Sequence, residues 1–256
     1  MAKNFLKQVM DKQPSGPIDT RELIGKIEEG YTANRVPEFK TKKSFSPSTI
    51  VYGNGACPRY WYLAFEGAEF EDNADAYASA NMQSGIDAHA RIQRAITDAG
   101  IMVEEEKKVM ISDPPIFGFA DGILQWGETQ PILEIKTMRE ESYSYRKHAK
   151  PPNYHLMQLL IYMKILGRRL GVLLYENKNS HELHAITVEA DEEKLAWVEY
   201  AFDWMRTVRK AWEDKKIPKK TYRANSKVCK TCPIQKACAS ADKGELKIEP
   251  LEYLET

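Results

Sequence analysis

The stretch ILEIKTM, residues 132–138, places two opposite charges in a mainly apolar run. Side chains of a β-strand alternate between its two faces, so Glu134 and Lys136 should point the same way. The apolar residues around them predict that the strand is largely buried on at least one side. One interpretation is a structural ion pair, which contributes little stability because desolvation offsets most of the attraction. The other is a reaction centre, where closely spaced charges with shifted pKa values are common.

Periodic patterns on either side of this stretch predict the rest of the fold. Strands are predicted at residues 102–111, 116–126, 131–138, 170–175 and 182–188, with a hairpin turn at 127–130. Helices are predicted at residues 21–31, 74–99, 151–166 and 191–215. The order of these elements indicates one α/β domain, residues 46–240, in which helices cover a mixed central sheet. Residues 1–45 form an unassigned approach segment, and residues 241–256 form a tail.

Composition limits the class of protein. The 37 basic and 37 acidic residues balance each other, so a polyanion partner must be held by local patches. The N-terminus lacks the apolar core and the cleavage site of a secretion signal. The most apolar helical stretch, residues 156–167, is short and is interrupted by Gln158 and Lys164, so we expect no membrane span. These features predict a cytoplasmic location, where disulfides are rare.

A second acidic residue, Asp121, lies in the strand predicted before Glu134. If the two strands form a hairpin, the two carboxylates can face the same side at neighbouring positions, where they repel unless a cation sits between them. Mg²⁺ suits such a pair because it takes oxygen ligands and is held by one or two carboxylates plus substrate phosphate. Lys136 would then lie beside the metal ion, where it could steady the attacking water or the developing phosphate charge.

These residues resemble the PD-(D/E)XK nuclease pattern, which here reads GFAD at residues 118–121 and EIK at residues 134–136. The RecB-like exonuclease branch of that family also carries a histidine in an upstream helix, and His89 stands in that position. In the helix after the lysine strand the branch carries a Gln-x-x-x-Tyr pair, which Gln158 and Tyr162 match. Their spacing places both side chains on one helix face.

The resemblance implies a restriction-endonuclease-like core and a Mg²⁺- or Mn²⁺-dependent DNA exonuclease acting on single strands or DNA ends. The implied site residues are the metal ligands His89, Asp121, Glu134 and the carbonyl of Ile135, the catalytic Lys136, and the supporting Gln158 and Tyr162. Two alternatives stay open. One is a nuclease-like module that grips DNA ends for a partner protein without cutting. The other is a zinc protein with a structural ion pair in its sheet.

The four cysteines form a separate pattern, with Cys57 before the strands and Cys229, Cys232 and Cys238 after them. Four independent buried thiols are one interpretation. Metal chemistry is the other, and four thiolates accept either Zn²⁺ or an iron–sulfur cluster. The spacing of one cysteine before and C-x₂-C-x₅-C after resembles the iron–sulfur exonucleases, namely the CRISPR-associated family that trims prespacer DNA and the AddB nuclease domain. The resemblance implies a structural 4Fe–4S cluster that clips the N- and C-terminal helical regions together.

The segment after the lysine strand interleaves aromatic and basic residues, namely Tyr143, Tyr145, Arg146 and Lys147. We expect a loop here, and this composition suits single-stranded nucleic acid, where bases stack on aromatic rings while cations follow phosphates. A solvated loop is the alternative. From the resemblance, the expected partners are DNA and a protein of a recombination or CRISPR adaptation system, in a prokaryotic or phage-infected cell.

Overall fold

The computed structural model describes residues 18–33, 41–50, 53–72 and 74–252. Parts of two predicted segments lie outside these ranges: residues 1–17 and 34–40 of the approach segment, and residues 253–256 of the tail. The chain divides into two compact units. The first unit, Met1–Pro37 with Ala74–Ser84, contains one complete described helix, α1 (Thr20–Ala33), as predicted.

The second unit, Glu38–Asn73 with Gly85–Thr256, contains the sheet and the remaining helices. Its helices are α2 (Pro47–Ile50), α3 (Pro58–Phe65), α4 (Ala76–Asp98, which begins in the first unit), α5 (Glu140–Arg146), α6 (Asn153–Ile165), α7 (Glu192–Glu213), α8 (Lys227–Lys230) and α9 (Gln235–Ser240). Its strands are β1 (Met102–Ser112), β2 (Pro115–Leu124), β3 (Ile132–Met138), β4 (Leu170–Asn177) and β5 (Leu183–Glu189). Within the described ranges, no helix is long and apolar enough to cross a bilayer.

The five strands form one mixed sheet in the order β1-β2-β3-β4-β5. Neighbouring strands are antiparallel except β3 and β4, which pair in parallel from Ile132 opposite Gly171 to Met138 opposite Asn177. A parallel pair needs a crossover connection, and α5 and α6 supply it. The predicted α/β class, with helices on a mixed central sheet, is confirmed.

Helix α6 is the centre of the core. Its residues 157–163 are all buried, which explains why its apolar positions show almost no single-sided periodicity. The helix lies very close to β4 at Gly171, where an added Cβ would be 2.8 Å from the Met163 sulfur and 3.0 Å from Leu159. A glycine at this position therefore allows the helix to approach the sheet, and Gln158 on α6 reaches Lys136 on β3.

One prediction about local structure was wrong. The segment expected to be a loop after β3 is helix α5. Glu140 and Glu141 lie in its first turn and Arg146 in its last, an arrangement that complements the helix dipole. Tyr143 is buried at the middle of the helix and anchors it to the core. This buried contact offsets the cost of forming so short a helix.

Candidate active site

Glu134 and Lys136 lie on the same face of β3, as the alternation predicted. The Lys136 Nζ atom is 2.7 Å from Glu134 Oε1, and the Glu134 side chain is only 3% exposed. Burial raises the pKa of Glu134 to about 7, and the negative charge of Asp121 acts in the same direction, although the ammonium of Lys136 opposes both. A carboxylate this deep in the sheet is costly to keep ionised without a further positive charge.

Asp121 joins this pair because β2 and β3 separate at its position. Their ladder ends at Gly122 opposite Leu133, and beyond it the Asp121 carboxylate lies between the strands. Its Oδ2 atom accepts a hydrogen bond from the Ile135 amide at 2.5 Å, so the side chain replaces the missing main-chain acceptor. The structure therefore brings Asp121 and Glu134 to one side of the sheet, at the end of the predicted hairpin.

His89 reaches the same place from α4. Its Nδ1 atom lies 3.1 Å from Asp121 Oδ1. Burial alone lowers the pKa of His89, but the hydrogen bond to Asp121 and the charges of Asp121 and Glu134 outweigh it, and the net shift is upward. The imidazole therefore lies beside the Asp121 carboxylate, and a metal ion at this point would contact both groups.

Gln158 and Tyr162, both on α6, form a chain of hydrogen bonds that ends at Lys136. Gln158 Oε1 accepts from Lys136 Nζ at 3.0 Å, and Gln158 Nε2 donates to the Tyr162 hydroxyl at 3.4 Å. Both side chains are almost fully buried. Burial, followed by the charge of Glu134, raises the pKa of Tyr162, so its hydroxyl stays neutral. These hydrogen bonds fix the orientation of the Gln158 side-chain amide, and the amide oxygen in turn fixes the position of the Lys136 ammonium.

One atom of the site has no partner. Glu134 Oε2 is buried and accepts no hydrogen bond from any residue that the structure describes. Each such atom in a native fold calls for an explanation such as an ion. Across residues 18–33, 41–50, 53–72 and 74–252, no three His, Cys, Asp or Glu side chains are already gathered around a single point. Lys136 pairs with Glu134 and His89 pairs with Asp121, and the two carboxylates with the imidazole form a donor set that fits a divalent ion.

A residue that the sequence reasoning missed is Gln93, one helical turn after His89. Its Nε2 atom donates to the Asp121 carbonyl at 2.9 Å and to Glu106 Oε1 at 2.8 Å. Gln93 is buried, so it ties the backbone of β2 at Asp121 to both α4 and β1. The i,i+4 spacing from His89 is the only signal in the sequence that points to it.

A cleft of about 350 Å³ opens beside Lys136 and Gln158. Its other polar and aromatic lining residues include Ser48, Ser142, Tyr145, Arg146, Tyr154 and His155. Of the four residues expected to contact nucleic acid, Tyr145 and Arg146 line this cleft. Tyr143 is 1% exposed and cannot stack on a base from that position, which corrects the prediction for it. Lys147 pairs with Glu182 and lies 5.3 Å from the centre of the Tyr143 ring.

His155 lines the cleft and has a strongly lowered pKa. Burial, followed by the charges of Lys136 and Arg146, lowers its pKa from 6.5 to about 3. Because the folded-state pKa is depressed, the neutral imidazole stabilises the fold fully above about pH 6.5, and this stabilisation is lost as the pH falls toward 3. We predict that His155→Gln makes stability less sensitive to acid over this range.

The measurement is the free energy of unfolding by urea across that pH range. The wild-type protein should lose roughly 2–3 kcal/mol more than the variant between neutral and mildly acidic pH. His184→Gln, which alters a histidine on β5, is the matched control and should follow the wild type. Parallel pH curves for wild type and His155→Gln would contradict the prediction.

The four cysteines surround a second cavity, of about 110 Å³. Cys57 is the N-cap residue of α3, Cys229 lies on α8, Cys238 lies on α9, and Cys232 lies between these two helices. Burial, followed by the charges of the other three sulfurs, raises the pKa of Cys232 to about 11. Burial is also the largest cause of the raised pKa of Cys57. Burial therefore disfavours the thiolate forms of Cys57 and Cys232, which a cationic group in the cavity would stabilise.

Arg59, two residues after Cys57, lies beside this cavity and is 1% exposed. Its Nε atom donates a hydrogen bond to Cys238 Sγ at 3.3 Å. The remaining donors reach five main-chain carbonyls, those of Pro218, Cys238, Ala241, Asp242 and Lys243. Arg59 therefore binds the C-terminal segment to α3 with contacts of its own.

Comparison with known proteins finds solved structures with a similar fold. No protein-family model and no curated protein sequence matches the chain. The crystal structure of an alkaline exonuclease (LHK-Exo) from Laribacter hongkongensis is similar, with a TM-score of 0.52 and 18% identity over 73% of this chain and 95% of that one. The structure of LHK-Exo in complex with dAMP gives a TM-score of 0.50 and 18% identity over 67% and 89%. At such identity the likeness shows a shared α/β fold.

Proposed function

We propose that this chain is a metal-dependent DNA exonuclease of the RecB-like PD-(D/E)XK type. The observation that carries the proposal is the convergence of Asp121, Glu134 and Lys136 at one buried point with an unpartnered carboxylate oxygen. Lys136 pairs with one oxygen of Glu134 and leaves the other available to an ion. The shared fold with an alkaline exonuclease is consistent with this chemistry.

The donor set fits Mg²⁺ or Mn²⁺. Asp121, Glu134, His89 and the Ile135 carbonyl would hold the ion, and the imidazole among these ligands favours Mn²⁺ over Mg²⁺. When bound, the ion supplies Lewis acidity that activates water and neutralises phosphate charge. In the overall hydrolysis the water oxygen bonds to phosphorus, the bond to one sugar oxygen breaks, and that oxygen leaves with a proton.

The chain's own residues position the rest of the reaction. The Lys136 ammonium is the exposed member of the buried pair, with 23% of its side chain accessible, so it can contact a phosphate from outside. There it would stabilise negative charge as the new bond forms. Gln158 and Tyr162 act through Lys136 as positioning residues, because their hydrogen bonds restrict the ammonium to one place.

The test is release of nucleotides from end-labelled single-stranded DNA by the purified chain with and without Mg²⁺ or Mn²⁺. We expect ion-dependent release that Asp121→Asn abolishes. Asp203→Asn, a change to an exposed carboxylate on α7, should leave it intact. Retained DNA binding without any release by the wild-type protein would instead favour the end-gripping module. Loss of both binding and release would refute the proposal.

We also propose a 4Fe–4S cluster, held by Cys57, Cys229, Cys232 and Cys238, as a structural clip. All four thiols line one cavity of about 110 Å³, and four thiolates accept either a single Zn²⁺ or an iron–sulfur cluster. The resemblance of the cysteine spacing to the iron–sulfur exonucleases favours the cluster.

The cluster predicts that anaerobically purified protein is brown and contains iron. Cys232→Ser should remove the visible charge-transfer absorbance and most of the iron, since three thiolates hold a cluster poorly. Thr231→Ser, a change next to Cys232 that keeps the side-chain hydroxyl, should leave colour and iron unchanged. Colourless wild-type protein that contains one zinc ion per chain would show that the four cysteines hold zinc and not a cluster. Protein free of both iron and zinc would refute the assignment.

A further inference from the structure

We infer that the cleft beside Lys136 is a subsite for one unstacked base of single-stranded DNA next to the scissile phosphate. The inference rests on the proposed function and extends it to the state of the substrate. The cleft shares Lys136 and Gln158 with the reaction centre, so whatever occupies it lies within contact of the ammonium. Its volume of about 350 Å³ lies at the small end for ligand pockets, a size suited to a single nucleotide.

Aromatic rings and a cation lie at the mouth of the cleft. Tyr145 is 65% exposed and Tyr154 is 38% exposed, so both can offer a ring to a base. The Arg146 guanidinium lies 4.9 Å from the centre of the Tyr145 ring and donates to the Lys150 carbonyl. This combination of aromatic faces with a fixed cation is typical of single-strand binding, where bases stack and cations follow the phosphates.

The inner wall is suited to a base edge and not to a phosphate. His155 contacts the Tyr175 hydroxyl through Nδ1 at 3.1 Å, and its ring meets that of Tyr154 edge-on, with the centroids 4.5 Å apart. Burial and the neighbouring cations keep this imidazole uncharged at neutral pH. A neutral imidazole has one donor and one acceptor nitrogen, and since Nδ1 is bonded to the Tyr175 hydroxyl, Nε2 is the nitrogen available to a base edge. The hydroxyls of Ser48 and Ser142 add further neutral polar groups.

A base can enter such a cleft only when it is unpaired, because a Watson–Crick partner would occupy the edge that has to face His155. The strand must therefore be single at the point of cleavage, and duplex DNA must first lose a base pair at an energetic cost. The inference therefore makes single-stranded DNA, or a frayed end, the substrate that reaches Lys136.

The experiment uses single-stranded DNA with 2-aminopurine at successive positions from the end, bound to the Asp121→Asn protein. One position should change its fluorescence on binding. Adding Tyr145→Ala should remove that change and weaken binding about tenfold to a hundredfold, which is the range expected for one stacked base. His155→Gln should also reduce the change. Tyr200→Ala, a change to another exposed tyrosine, on α7, is the control and should leave the signal intact.

The base subsite and the proposed nuclease activity can be refuted separately. In the active protein, Tyr145→Ala should lower hydrolysis of single-stranded DNA at least tenfold more than hydrolysis of bis(p-nitrophenyl) phosphate, which has no base. Equal losses on both substrates, or equal fluorescence changes at every position, would overturn the subsite and leave the nuclease proposal standing. A wild-type protein that hydrolyses neither substrate would overturn the nuclease, while a position-specific signal would still support base binding.

Discussion

Replacing Lys136 with methionine should slow the ion-dependent hydrolysis of single-stranded DNA about a hundredfold to a thousandfold, the usual cost of removing one donor that stabilises transition-state charge. Methionine keeps most of the length of the side chain but loses the ammonium, which now contacts Glu134 at 2.7 Å and Gln158 at 3.0 Å. The rate constant kcat on end-labelled DNA is the quantity to measure, with KM determined separately. A pure loss of binding would raise KM and leave kcat unchanged.

Stability has to be separated from catalysis in this variant, because Lys136→Met leaves the buried Glu134 without its partner. Far-ultraviolet circular dichroism and the urea midpoint show whether the fold is kept, and Lys136→Arg provides a charged, folded comparison. Lys210→Met, a change to an exposed lysine on α7, is the matched control and should retain full activity. A folded Lys136→Met protein with the wild-type kcat would remove the lysine from the mechanism.

The strands were predictable because their signals are local. Alternation with a period of two and the turn at residues 127–130 gave all five strands to within a few residues. The parallel pairing of β3 with β4 follows from the helix between them, since parallel neighbours need a crossover. The short helix α5 was missed because its composition is that of a loop. Burial of Tyr143 stabilises that helix, and burial depends on distant packing.

The candidate site was predictable only in part, and for a physical reason. Strand alternation placed Glu134 and Lys136 together, and hairpin geometry placed Asp121 beside them. The depth of Glu134 and its unpartnered oxygen depend on the whole sheet, so no local pattern carries them. Arg59 bonds mainly to main-chain carbonyls and Gln93 bonds to one of them, and every residue possesses such a carbonyl. An acceptor without a side-chain identity leaves no motif to recognise.

Arg59 carries the largest expected effect on stability. Its guanidinium is buried and donates hydrogen bonds to five carbonyl oxygens. The shortest are 2.5 Å to the Asp242 carbonyl and 2.7 Å to the Pro218 carbonyl. Arg59→Met keeps the apolar stem but removes every donor, and a buried acceptor left without a donor costs about 1–3 kcal/mol. Because water reaches some of these carbonyls in the variant, we expect a total loss of about 3–5 kcal/mol in the free energy of unfolding.

The location of the damage distinguishes a specific clamp from a general loss of packing. All the acceptors lie between residues 218 and 243, so limited proteolysis should cut Arg59→Met first in that segment while the sheet stays resistant. Arg59→Lys should recover part of the stability, since lysine keeps the charge but has three donors where arginine has five. Arg206→Met, which removes a surface ion pair with Asp113, should cost less than about 1 kcal/mol. Because five of the acceptors are main-chain carbonyls that bind no metal, the loss should appear in metal-free protein as well. A loss confined to the metal-loaded form would mean that Arg59 acts only through the Cys238 sulfur.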